Sequence, residues 1–191
     1  MLSYRIITGV PEPRGQRARR PFLSFGAAAT SYAVAVVLGP QAWAVPVESG
    51  DEATPCWAEQ VAVTASSTQG AVGHRALTLM FSLAGGGEPC TLTGYPAVET
   101  GAGGPDVHAK PTLRGYMGGL PSDVNVPPSV TLSISTQGQA IVEGMSVDGN
   151  GDPCPGYSEL RVNPPDTTMV FTVPVTIDAC DLEVHPVTAG Q

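Results

Sequence analysis

Apolar side chains recur at every second position in several short runs of this chain. Leu77, Leu79, Phe81 and Leu83 alternate with Thr78, Met80 and Ser82, the period-two signature of a strand with one buried face. Val130, Leu132 and Ile134 alternate with Thr131, Ser133 and Ser135, and Leu160 and Val162 with Glu159, Arg161 and Asn163. Cys180, Leu182 and Val184 alternate with Asp181, Glu183 and His185, which puts Cys180 on an apolar face and His185 on a polar one. Weaker strands are expected over 60–66, 96–99, 107–113, 139–147 and 168–173, and the link Thr136-Gln137-Gly138 is short enough to close a hairpin. Beyond residue 55 the longest stretch free of Gly and Pro is 56–69, fourteen residues, so long helices are excluded. About eight short strands with turn signals between them predict an all-β fold, an Ig-like two-sheet antiparallel sandwich over residues 56–191.

The N-terminal part has a different pattern. Five of the nine basic residues (Arg5, Arg14, Arg17, Arg19 and Arg20) precede position 21, and residues 22–38 carry no charge. Gly39-Pro40 and Ala42-Trp43-Ala44 follow. Basic, then apolar, then small-x-small is the order of a secretory signal peptide, expected here over 1–44 with a flexible lead-in over 45–55. Arg19-Arg20-Pro21-Phe22-Leu23 resembles a twin-arginine signal. The competing reading is an uncleaved anchor, but seventeen uncharged residues are at the short end of what spans about 30 Å of hydrocarbon.

Charge narrows the partners. Residues 45–191 hold four basic and sixteen acidic side chains, a net of −12. A nucleic-acid binder needs a basic surface to displace phosphate counterions, and docking on anionic lipid needs the same. Neither nucleic acid nor, once the signal is removed, membrane is an expected partner. Cys56, Cys90, Cys154 and Cys180 all lie in the exported part, where an even count reads as disulfides. Three connectivities are possible. The sequential one, Cys56–Cys90 with Cys154–Cys180, is expected because it closes loops of moderate length, each worth about 3–4 kcal/mol. Separations of 34, 64 and 26 lack the close pairs of a thiolate zinc site.

The phrase Glu88-Pro89-Cys90-Thr91-Leu92-Thr93-Gly94-Tyr95-Pro96-Ala97-Val98 follows the Leu77–Leu83 run. It resembles the actinobacterial secreted domain-of-unknown-function family 4232. A third Cys before a strand ending Val162-Asn163-Pro164-Pro165, and a closing Cys-x-Leu-x-Val at 180–184, are similar to that family too. The resemblance covers about residues 56–185. It implies an exported β-sandwich attached to or released from the cell envelope, and no known activity. Within the phrase, Gly94 permits a tight bend and Pro96 restricts Tyr95 to extended geometry. Tyr95 is expected to pack its ring and to hydrogen-bond a neighbouring loop, so Gly94, Tyr95 and Pro96 read as a structural clasp.

Candidate chemistry is sparse. Asp148-Gly149-Asn150-Gly151-Asp152, with Glu159 eleven residues after Asp148, has the carboxylate spacing of a calcium loop. Pro153 stands where that loop needs Gly, and Gly, Asn and Asp are also what tight turns use. Gly144-Met145-Ser146-Val147-Asp148 is a near miss for a serine-nucleophile elbow, lacking the second Gly, and His74, His108 and His185 are far apart in sequence. The best binding loop is Arg114-Gly115-Tyr116-Met117-Gly118-Gly119-Leu120-Pro121. It sets Arg114, Tyr116, Met117 and Leu120 on glycine-flexible chain, as recognition loops on rigid scaffolds often do. The resulting expectation is a non-catalytic module, secreted or associated with the envelope, that uses no cofactor and binds a protein or cell-wall ligand. The alternatives are an extracellular hydrolase built on Ser146 and a calcium-stabilised adhesin-like domain.

Overall fold

Leu77, Leu79 and Phe81 all turn inward, with Met80 facing out between them, as their spacing requires. They belong to the longest strand of the computed structural model, which describes residues 53–190. The expected signal over 1–44 and residues 45–52 of the lead-in lie outside the described residues.

Twelve strands follow one 3₁₀ turn, Ala58–Gln60: β1 (Val61–Ala65), β2 (Gln69–Ala71), β3 (His74–Leu83), β4 (Cys90–Thr93), β5 (Ala97–Thr100), β6 (Lys110–Pro111), β7 (Ser129–Leu132), β8 (Gly138–Met145), β9 (Gly156–Asn163), β10 (Phe171–Asp178), β11 (Leu182–Val184) and β12 (Thr188–Ala189). Among the described residues there is no α-helix. The largest sheet runs β1-β3-β8-β11-β6, with β2 added beside β3 and β12 beside β8; a second runs β10-β9-β5; β4 and β7 form a two-stranded third. All pairings are antiparallel except β11 with β6.

One apolar core joins the three sheets. Leu79 and Val142 from the first, Leu160 and Ile177 from the second and Leu92 and Leu132 from the third lie in the same cluster of buried side chains. Proline enters a strand only at Pro111 in β6 and Pro174 in β10. β10 is an edge strand, where a missing N–H disrupts least.

Several elements differ from the sequence expectation. The alternation Val130, Leu132, Ile134 stops short of Ile134: β7 ends at Leu132, and Ser133 and Thr136 exchange backbone hydrogen bonds across a tight turn. Ile134 sits at that turn and is 97% exposed. The turn does not close a hairpin. β7 pairs with β4 and β8 with β3, so the chain passes from one sheet to another there. The strand expected over 107–113 shrinks to the two residues of β6 plus an isolated bridge of His108 to Glu99. The strand expected over 168–173 starts and ends later, as β10.

Both bridges have the sequential connectivity, Cys56–Cys90 and Cys154–Cys180. The first is buried in the core. It fixes the start of the domain, where Pro55 bridges to Thr91 and the Cys56 N–H donates to the Thr91 carbonyl at 2.9 Å. The second ties the 148–154 turn to the approach to β11. Cys180 itself is exposed rather than inward-facing, because β11 begins only at Leu182 and the buried position before it is Ala179.

Candidate functional site

The outer face of the large sheet is not open to water along its whole length. Register places Glu143 of β8 opposite Ala76 of β3 on one side and Glu183 of β11 on the other. Val142 and Val184, one position along, point into the core. Glu143 therefore points outward, yet it is only 3% exposed, and His185 just past β11 only 2%. His185 is on the polar face where alternation puts it, but it is buried there because residues 112–120 fold over it.

That loop is itself a small hairpin. Leu120 N–H donates to the Leu113 carbonyl at 2.7 Å and Gly115 N–H to the Gly118 carbonyl at 2.9 Å. Thr112 N–H donates to Val184 at 2.9 Å, anchoring the loop to β11. Below it, His185 Nδ1 faces the Thr112 carbonyl at 3.1 Å and Nε2 faces Glu143 Oε1 at 2.9 Å. A carbonyl only accepts, so the network assigns a hydrogen to Nδ1. Nε2 and Oε1 share a second hydrogen bond, which ties the ring to the carboxylate. The other carboxylate oxygen accepts from the Met117 N–H. A carboxylate and an imidazole under the loop thus hold it at its base and its tip, and among the described residues every buried side-chain nitrogen and oxygen is partnered.

The glycines serve close approach rather than flexibility. A Cβ on Gly115 would overlap the Glu143 carboxylate, and one on Gly118 the tip of Ile141. Gly119 sits at φ 112°, and a Cβ there would overlap the Leu113 carbonyl. Sequence reasoning gave these glycines to mobility because the surface beneath them was not visible.

The four loop side chains have separate fates. Leu120 is buried. Met117 is half-buried, its backbone committed to Glu143. Arg114 is occupied by the next segment: its Nε and Nη2 donate to the Pro121 carbonyl at 3.1 and 2.7 Å, and Nη2 also donates to the Val124 carbonyl and to Asn125 Oδ1. Tyr116 alone is displayed, 61% exposed. Its ring stacks on His74 of β3 with centroids 4.0 Å apart and planes 14° from parallel. Beside it opens a cavity of about 240 Å³ lined by His74, Tyr116, Glu143, Gly144, Met145, Asp181 and Glu183.

The other candidates stay apart. The Ser146 hydroxyl donates to the Gly73 carbonyl at 2.9 Å, not to a histidine. Asp148 Oδ1 accepts the Asn150 and Asp152 amides at 2.8 and 2.9 Å. Those backbone bonds, from Asp152 first, hold its pKa below the usual 3.8. Glu159 Oε1 instead accepts the Ala102 N–H at 3.4 Å. Among the described residues no group of three His, Cys, Asp or Glu side chains converges as a metal site. In the 94–96 clasp, Gly94 takes φ 96° and its carbonyl accepts the Val187 N–H at 2.8 Å. Pro96 is buried and Tyr95 half-buried. The tyrosine hydroxyl that reaches a neighbouring loop is Tyr157, donating to Pro105 at 2.9 Å.

A family model described as Domain of unknown function (DUF4232) matches residues 56–190. No curated protein and no solved structure matches the chain.

Proposed function

From the premise that this chain belongs to the DUF4232 family over residues 56–190, we infer that it is an exported, non-catalytic binding module. It works outside the cell or at the envelope, on a protein or cell-wall ligand. On this reading residues 1–44 are a signal of the twin-arginine type, removed on export, and the three sheets make up the two layers of an Ig-like sandwich. Two oxidised bridges suit an oxidising compartment. A single core fed by all three sheets suits a sandwich.

The observation that carries the binding role is Tyr116. Its loop is fixed from below by Glu143 and His185, yet the one large side chain that this bracing positions is left in water over a cavity. A loop serving only to cover the sheet would turn its aromatic inward, since ring burial stabilises by a few kcal/mol. Rigid aromatic side chains on braced loops are the usual anchors of recognition.

The test is retention of envelope components on immobilised mature protein, compared with the Tyr116→Ala variant. The variant is expected to keep its unfolding midpoint and lose the retained component. Equal retention by both proteins would remove the site from this loop.

A further inference from the structure

The cavity beside Tyr116 has a charge pattern of its own. Glu143 and Glu183 stand directly opposite each other in the antiparallel β8–β11 ladder, an arrangement that destabilises a sheet when both are charged. Glu143 is engaged from below by His185 Nε2 at 2.9 Å and by the Met117 N–H. The Glu183 side chain has neither a hydrogen bond nor an ion pair among the described residues. Lys110 is its register partner in β6, but no ion pair forms between them. Asp181, on the same wall, uses one oxygen to accept the Met145 N–H at 3.1 Å. Two carboxylates thus face the cavity without a cation, in a domain whose net charge beyond residue 44 is −12.

The same cavity is lined by the Tyr116 ring, which stacks on His74 at 4.0 Å. An aromatic face attracts a positive charge laid over it. Among the described residues the carboxylates do not gather as three metal ligands would, and Tyr116 and Met145 in the lining offer an apolar stretch for a ligand to lie along. A cavity of about 240 Å³ has room for one long side chain.

We propose that this cavity receives the cationic end of a lysine or arginine side chain presented by a protein partner. The aliphatic stem lies along Tyr116 and Met145, and the charge lies between Glu183 and Asp181. The proposal rests on the binding-module reading above and specifies the ligand of the same site. The negative field of the domain also draws such a partner in, an effect that salt weakens.

The experiment is a titration of the ¹⁵N-labelled mature protein with three capped amino acids: N-acetyl-lysine methylamide, its arginine counterpart, and the neutral N-acetyl-norleucine methylamide. The two cationic probes are expected to shift the amides of Gly144, Met145 and Glu183, and norleucine is expected not to. Glu183→Gln removes no hydrogen bond and is expected to fold normally. It should weaken the lysine probe about two- to fivefold, the range of an exposed ion pair. Norleucine binding as tightly as lysine at these amides would overturn the cationic assignment while leaving the site in place. Unchanged lysine affinity in Glu183→Gln would do the same. No shift at these amides from any probe overturns the proposal, and the binding-module reading is then decided separately by the Tyr116→Ala retention test.

Discussion

His185 Nε2 lies 2.9 Å from Glu143 Oε1, and both side chains are buried although both belong to the outward face of their sheet. The pair is buried because a loop lies on it, and the loop lies there because the pair binds its backbone. Each half of that arrangement depends on the other. Removing one partner should therefore cost more than the sum of visible hydrogen bonds suggests.

Glu143→Ala leaves the His185 ring and the Met117 N–H buried without their acceptor. A loss of about 3–5 kcal/mol is expected, as for other broken buried pairs. Glu143→Gln keeps an acceptor for Met117 and a donor for a neutral imidazole, and should lose only about 1–2 kcal/mol. Urea unfolding at neutral pH measures both. Two variants of equal stability would show that the carboxylate does not brace the loop.

The three loop glycines give a graded series. At Gly118 an added methyl meets the end of the Ile141 side chain, which can turn aside. At Gly115 it meets a carboxylate held in place by His185, and at Gly119 it meets backbone in a conformation with positive φ. Gly118→Ala is expected to be the mildest. Gly115→Ala and Gly119→Ala should each lose about 1–3 kcal/mol, as overpacked sites do, and should raise hydrogen exchange at the Met117 amide. Equal effects at all three would favour a general need for backbone freedom instead.

Leu132 and Ile134 are two positions apart, and pattern alone treats them alike. Leu132→Ala is expected to cost about 2–5 kcal/mol, and Ile134→Thr to stay within about 0.5 kcal/mol, because one is in the core and the other at a turn. Chemical unfolding of the two variants decides whether β7 ends where the structure ends it. The pair also shows what was legible in the sequence. Alternation located β3 and β9, since their buried faces are simply apolar. It overran at Ile134, because a tight turn keeps the parity of a strand without its burial. It also missed the covered face, because Glu143 and His185 are polar residues. Whether polar residues meet water or a returning loop is decided by contacts between residues 26 and 73 positions apart, which no local pattern contains. The cysteine pairing was legible because four thiols allow only a few connectivities, and the sequential one closes the moderate loops.

The turn between β2 and β3 offers a change in the opposite direction. Val72 takes φ 44° and Gly73 φ 81°, so both central residues of this two-residue hairpin are left-handed. Such turns favour Asn-Gly, whereas a β-branched residue in this region loses about 1–2 kcal/mol relative to one that tolerates it. Val72 is 88% exposed, so replacing it sacrifices almost no packing. Val72→Asn is therefore expected to raise stability by about 1 kcal/mol, with an unchanged urea dependence. The turn adjoins Ser146, which bonds the Gly73 carbonyl through both its N–H and its hydroxyl. A distortion there would expose Ser146 and lower stability instead. A destabilised Val72→Asn protein would thus show that the valine is held in place by contacts its exposure does not reveal.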